Sequence, residues 1–210
     1  MRPTAYINGR ILQKQSFHND LAVIVRSAII TSIIPLAELA QDEYEIVDLG
    51  GNHLVPGFID VQVNGGGGVL FNDSPDLDGI KAISKAHRQF GTTGMLVTLI
   101  SDELDVIQSG VSAVNTAIDA AVPGVLGIHI EGPFLNPERR GIHDAQKIKK
   151  LTAGIVDQLQ PLDSGCTVLT IAPETMDPAL IGQLKDKGFI LCAGHSNASY
   201  EEASTAMIMA

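Results

Sequence analysis

The sequence has no tryptophan, three tyrosines, six phenylalanines and two cysteines, and its basic side chains are outnumbered by acidic ones. Each shortage excludes something. With aromatics at 4% of residues, there is little from which to build a base-stacking platform for single-stranded nucleic acid. A formal net charge of −10, from 14 Lys and Arg against 24 Asp and Glu, argues against nucleic acid and anionic membrane as partners. It leaves room for a local basic patch that binds one phosphate. Cys166 and Cys192 lie in the apolar runs CTVLTIAP and FILCAGH, without the close spacing of a redox or zinc-ribbon motif. Both read as buried strand thiols, and the absence of a disulfide framework fits a reducing cytoplasm. The apolar run Leu21–Leu36 is broken by Arg26, Ser27, Thr31, Ser32 and Pro35, so it is too short and too interrupted to span a bilayer. The start, MRPTAYINGR, lacks the apolar segment of a signal peptide. A soluble, cytoplasmic protein is the expectation.

What is present is a chain of 210 residues, 45% hydrophobic, with enough apolar material for a sizeable core. Residues 1–55 read as short strands, around Thr4–Ile7, Arg10–Gln13, Leu21–Val25, Ala28–Ile34, Glu45–Leu49 and His53–Val55. The Asn8-Gly9 pair between the first two is a hairpin-turn signal. This is a small all-β segment, a piece of a β-sandwich. After Pro56 the pattern changes. Strand-like runs at Gly57–Val63, Gly94–Ile100, Val125–Glu131, Thr167–Ala172 and Ile190–Ala193 alternate with helical stretches near 77–90, 103–121, 152–160, 178–187 and 200–207. Near-continuous apolar strands separated by helices imply a parallel sheet covered by helices.

An open doubly wound sheet and a (β/α)8 barrel both fit that alternation. Gln62, Asn64, Glu131 and His195 all fall at or just past the C-terminal ends of strands, where barrels build their active sites. No Gly-x-Gly-x-x-Gly follows the first strand, and the run Gly65–Gly68 lacks a helix start. The fold class is therefore α/β: an incomplete (β/α)8 TIM-type barrel over residues 56–210, with about five of its eight β/α units, preceded by the β segment. An unclosed barrel leaves exposed edges, so poor solubility is expected.

Glu131 ends an apolar strand in VLGIHIEGPFLNP, where a carboxylate binds a metal, acts as a general base, or pairs with a nearby arginine. His129 shares its face one layer deeper, as a supporting or core histidine. His195, in AGHSNAS, stands at another strand end before a helix. Neutral imidazole is a common zinc ligand, and a loop or helix-capping histidine is the plainer alternative. Two such residues on strand ends of one barrel face one mouth and reinforce each other. Gln62 and Asn64 alternate on the first barrel strand. Amides are poorer ligands than imidazole, so this pair argues against a second metal and reads as polar lining. His143, in RRGIHDA after Arg139 and Arg140, is placed to polarise a carbonyl or hold an anion, or is simply a solvated loop residue. Asp60 receives no catalytic role.

LVPGFIDVQVNGGGG, FND, GTTGMLVTLIS, GIHIEGPFLNPERRGIHD, IAPE and AGHSNASYEEA together resemble, in order, the N-acetylglucosamine-6-phosphate deacetylases of the amidohydrolase superfamily. The match covers most of residues 54–203. PGFID is common among amidohydrolases, whereas HIEGPFLN, GIHD and AGHSNA are more specific. The β segment matches only in kind, and at Ser27-Ala28 it lacks an expected glycine-containing turn. The resemblance implies that Glu131 and His195 are metal ligands and that His143 contacts the substrate near its amide carbonyl. Gln62-x-Asn64 in place of His-x-His implies one tightly held divalent ion, usually zinc. The implied reaction converts N-acetylglucosamine 6-phosphate, a small amino-sugar phosphate, into glucosamine 6-phosphate and acetate. The family is commonly homodimeric. In that family a further histidine ligand, an aspartate acid/base and phosphate-binding residues lie beyond the segments matched here. The expectations are that no catalytic acid/base lies within this chain and that it lacks activity alone. The competing readings are a non-catalytic fragment and an amidohydrolase acting on a different amide.

Overall fold

The chain divides between Pro56 and Gly57 into two units, and the computed structural model describes residues 2–209. The first unit holds β1 (Thr4–Ile7), β2 (Arg10–Gln13), β3 (Ser16–His18), β4 (Leu21–Arg26), β5 (Ile29–Pro35), β6 (Glu45–Asp48) and β7 (His53–Leu54). They form two sheets, ordered β5-β4-β1-β6 and β3-β2-β7. The expected hairpin across Asn8-Gly9 does not form. β1 pairs with β4 and β6, while β2 pairs with β3 and β7. Asn8 does take the positive φ of 55° that its residue type favours. Its side chain, however, donates to Asp48 at 2.9 Å, and a Cβ on Gly9 would overlap the Leu49 side chain. The pair is thus a crossing point between sheets, held by the strand end at Asp48–Leu49. A hairpin does form at Ser27-Ala28, joining β4 to β5 with φ of 51° and 62°. That is the backbone of a two-residue turn that glycine usually supplies, adopted here without one. Ala5, Ile7, Ala22 and Ile24 alternate inward to form this unit's core.

The second unit runs β8 (Phe58–Val63), the short pair β9 (Gly65–Gly66) and β10 (Val69–Leu70), α1 (Leu77–Arg88), β11 (Thr92–Ile100), α2 (Leu104–Asp119), β12 (Val125–Glu131), α3 (Ala153–Gln158), β13 (Cys166–Ile171), α4 (Pro178–Asp186), β14 (Ile190–Ala193) and α5 (Tyr200–Met209). The glycine run thus becomes a miniature β9–β10 hairpin, with Gly67 and Gly68 at positive φ in its turn. The main sheet is parallel, ordered β14-β13-β12-β11-β8. Every strand lies beside its neighbour in sequence and the order never reverses, as in a barrel wall and unlike a doubly wound sheet. The sheet is a curled half-barrel.

Local sequence explains the helices. Asp76 caps α1 by accepting from the Gly79 N–H at 2.8 Å, and Asp177 caps α4 with Pro178 in its first turn. Ile80 and Ile83 on α1, Ile107, Val114 and Ala117 on α2, and Ile181 and Leu184 on α4 recur at helical spacing. They pack in one core with Val97, Leu99, Ile128, Ile130, Leu169 and Ile171 of the strands.

β8 and β14 are the sheet's outer strands, each paired on one side only among the described residues. Phe58, Ile59 and Val61 on β8 are 66%, 68% and 59% exposed. The same geometry corrects the reading of the cysteines, both of which are exposed. Cys192 lies on outer strand β14, and Cys166 is the first residue of β13, directly after Gly165. An apolar run marks a strand, but it does not tell an inner strand from an outer one. No helix among the described residues is long and apolar enough to cross a membrane.

Candidate metal centre

β12 carries the centre. Its alternate residues Ile128 and Ile130 face the apolar core, which leaves Gly127, His129 and Glu131 on the opposite face. That face is buried too: Glu131 is only 8% exposed. Beyond Glu131 the chain turns at Gly132, whose φ is 87°. A Cβ there would run into the Ser101 hydroxyl. Phe134 and Leu135 then anchor the loop in the interior.

Glu131, His143 and His195 come together, each offering a ligand atom within 4.8 Å of the others. His195 Nε2 lies 3.0 Å from Glu131 Oε1, and His143 Nε2 lies 3.8 Å from Glu131 Oε2. The two imidazoles meet edge to face, with centroids 4.6 Å apart. Among the described residues this is the one group of His, Cys, Asp or Glu side chains arranged to hold an ion. A solvated loop does not describe His143, which is 1% exposed.

The outer nitrogens of the two rings meet opposite kinds of partner. His143 Nδ1 accepts the Ser101 main-chain N–H at 3.2 Å and lies 2.7 Å from the Ser101 hydroxyl. An amide N–H can only donate, so Nδ1 is unprotonated and the ring proton sits on Nε2. That Nε2 is buried and has no hydrogen-bond partner. Burial pulls His143 below the usual imidazole range; the Glu131 charge opposes this and His195 adds to it. His195 is the reverse case. Its Nδ1 faces the Arg139 carbonyl at 2.9 Å and donates to it, which leaves Nε2, 3.0 Å from Glu131 Oε1, as the nitrogen that would turn to a metal, the arrangement common to metal-binding histidines. His195 itself sits at φ 49°, a left-handed conformation that a non-glycine residue keeps only when its surroundings impose it.

These residues fit a divalent ion. Two atoms each ~2.1 Å from a tetrahedral ion stand roughly 3.4 Å apart, close to the observed Glu131–His195 spacing of 3.0 Å. His143 offers an N–H instead of a lone pair. His129 lies outside the cluster: it donates from Nδ1 to the Val61 carbonyl and accepts the Thr170 hydroxyl at Nε2, at 3.1 and 2.8 Å. Burial lowers its pKa against the pull of Glu131 and the Val61 carbonyl. Gln62 is exposed, and its main-chain N–H donates to Asp60. The Asn64 side-chain nitrogen is buried without a partner. Neither amide belongs to the cluster.

Sequence reasoning passed over two supporting groups. Ser101 stood only as the last letter of GTTGMLVTLIS. Glu174, in IAPE, follows β13 and accepts from Asn136, Ser196 and Asn197. Burial raises its carboxyl pKa, but those three donors outweigh burial and hold it below the usual range. The place of IAPE among the other motifs was the available signal.

A half-barrel with a carboxylate and imidazoles gathered at the C-terminal ends of its strands defines part of an amidohydrolase-type barrel. No family model matches the chain. The N-acetylgalactosamine-6-phosphate deacetylase of Shewanella sp. (strain ANA-3) is 46% identical over 148 residues, which is 70% of this chain and 38% of the relative. The N-acetylglucosamine-6-phosphate deacetylase of Haemophilus influenzae is 36% identical over 202 residues, covering 96% and 53% respectively. The crystal structure of N-acetylglucosamine-6-phosphate deacetylase from Pasteurella multocida matches with a TM-score of 0.88 at 28% identity, over 99% of this chain and 54% of that one. The chain is thus a homologue of the N-acetylglucosamine-6-phosphate deacetylases, which are amidohydrolase enzymes, and spans about half the length of these relatives or less.

Proposed function

We propose that this chain forms the metal-holding part of a deacetylase site for N-acetylglucosamine 6-phosphate, with release of glucosamine 6-phosphate and acetate. The observation that carries the reading is the pair of histidines around Glu131, one accepting at its outer nitrogen from the Ser101 N–H and the other donating there to the Arg139 carbonyl. Glu131 and His195 would hold one divalent ion, and their oxygen and nitrogen donors suit zinc. When bound, such an ion supplies Lewis acidity and makes water a usable nucleophile near neutral pH. His143 then has a separate task. Its buried Nε2–H donates to the acetamido carbonyl oxygen and to the negative charge that grows there during attack. The Ser101 N–H keeps that proton on the correct nitrogen, and the Arg139 carbonyl does the same for His195. Gln62 and Asn64 line the mouth as neutral amides, which supports a single ion.

The centre is incomplete by itself. Catalytic zinc sites of this kind use three protein ligands, and with His143 turned to donation, two remain. No further carboxylate joins the cluster among the described residues to protonate the leaving amine. The 210-residue chain alone is therefore expected to release no acetate. A second reading concerns the sugar: the Shewanella relative is named for N-acetylgalactosamine 6-phosphate, so the epimer is the alternative substrate. The test is a chimera joining residues 1–210 to the remaining part of the Haemophilus relative, assayed for acetate from both sugars. Activity abolished by Glu131→Gln or His195→Gln supports the reading, and the preferred epimer decides between the two substrates. Turnover unaffected by either substitution, or turnover by the chain alone, would refute it.

A further inference from the structure

We propose that Glu174 is a positioning residue that holds His195 in its ligand pose, an inference that rests on the metal reading above. Glu174 lies in the short turn Pro173–Thr175 after β13. Its carboxylate collects donors from two separate loops. Oε1 accepts the Asn136 side-chain amide at 2.9 Å and the Asn197 main-chain N–H at 2.6 Å, and Oε2 accepts the Ser196 hydroxyl at 2.6 Å. Asn136 belongs to the loop after Glu131, and Ser196 and Asn197 directly follow His195.

The arrangement clamps the chain from the His195 carbonyl onward. Its carbonyl accepts the Asn136 N–H at 3.0 Å, so Asn136 grips the histidine backbone with its main chain and Glu174 with its side chain. Glu174 also fixes the next two residues directly. His195 thus has Glu174-linked restraints at its own carbonyl and on the two residues that follow it, at the one position in the loop that takes a left-handed φ of 49°. Left-handed backbone is unfavourable for a non-glycine residue. Without the clamp the residue relaxes toward an ordinary conformation, and Nε2 swings away from Glu131. A carboxylate suits this task because it only accepts, and all three of its partners donate.

The experiment uses the full 210-residue chain, zinc as the probe, and two readouts. Isothermal titration measures zinc affinity. NMR of the metal-free chain measures the His195 backbone shifts, which report the left-handed conformation without any metal. In Glu174→Ala, zinc affinity is expected to fall ~10- to 100-fold, the usual range for groups that orient metal ligands, and the left-handed signature of His195 is expected to disappear. Glu174→Gln keeps one acceptor oxygen for Asn136 and Asn197 and faces Ser196 with an amide that the hydroxyl can accept, so it should restore most of both signals. A loss from general unfolding would move the melting temperature and would not be rescued by Gln. Should the alanine variant fail to fold, Ser196→Ala removes one of the three donors and is expected to lower zinc affinity severalfold. Glu174→Ala with an unchanged His195 signature and affinity within about twofold of the parent, well short of that range, would overturn the proposal. If the parent chain bound no zinc while His195 still lost its signature in Glu174→Ala, the metal reading would fail and the positioning role would stand.

Discussion

The Ser101 main-chain N–H donates to His143 Nδ1, and that bond makes His143 a donor at its inner nitrogen. The bond uses the main chain, so Ser101→Ala should leave the tautomer in place while removing only the hydroxyl contact. Imidazole nitrogen shifts should show an unprotonated Nδ1 on His143 in both proteins. A protonated Nδ1 in the parent would contradict the assignment and return His143 to the set of possible ligands.

Acid should loosen the metal-free fold in a defined window. Burial lowers the pKa of both His129 and His143 from 6.5, so the folded state binds fewer protons there than the unfolded chain. Stability from these groups is complete above 6.5 and is lost as pH falls below it through the lower folded values. Urea midpoints should be level above that point and decline below it, more shallowly in His143→Gln. A midpoint that rose on acidification from 6.5 would show the sign to be wrong.

Gly132 is required twice over, by its φ of 87° and by the Ser101 hydroxyl that occupies the space a Cβ needs. Gly132→Ala should lower stability by at least ~1–2 kcal/mol and displace Ser101 from His143. Thermal melting and the His143 nitrogen shifts check the two effects. An unchanged melting temperature would mean that the turn relaxes freely.

The outer strand β8 presents Phe58, Ile59 and Val61 to solvent, and an unpaired apolar strand edge is a template for association. Light scattering during size-exclusion chromatography should show mass rising with concentration. Ile59→Lys should reduce the effect. A concentration-independent monomer would contradict this view of the edge.

Much of the fold was legible because its signals are local. VLGIHIE ends in a polar residue at a strand terminus, and the structure ends β12 at that same Glu131. Helix starts at Asp76 and Asp177 follow from capping chemistry within four residues. What escaped is tertiary. Asn8-Gly9 has a turn backbone, but whether it closes a hairpin depends on Asp48 and on which sheet each strand joins. Cys192 belongs to an apolar run whose exposure is set by its outer position in the sheet. His129, His143 and His195 are alike in sequence, and their protonation patterns come from Val61, Ser101 and Arg139, partners 42 to 68 residues away. Glu174 was visible as a letter in IAPE, but its three donors were not.

The central claim is that Glu131 and His195 bind the ion while His143 does not, and titration of the 210-residue chain with zinc tests it most directly. One ion should bind, Glu131→Gln and His195→Gln should each weaken it more than the ~10- to 100-fold typical of groups that only orient ligands, and His143→Gln should leave affinity nearly unchanged. Loss of binding in His143→Gln equal to that in His195→Gln, or tight binding that survives both Glu131→Gln and His195→Gln, would contradict the account.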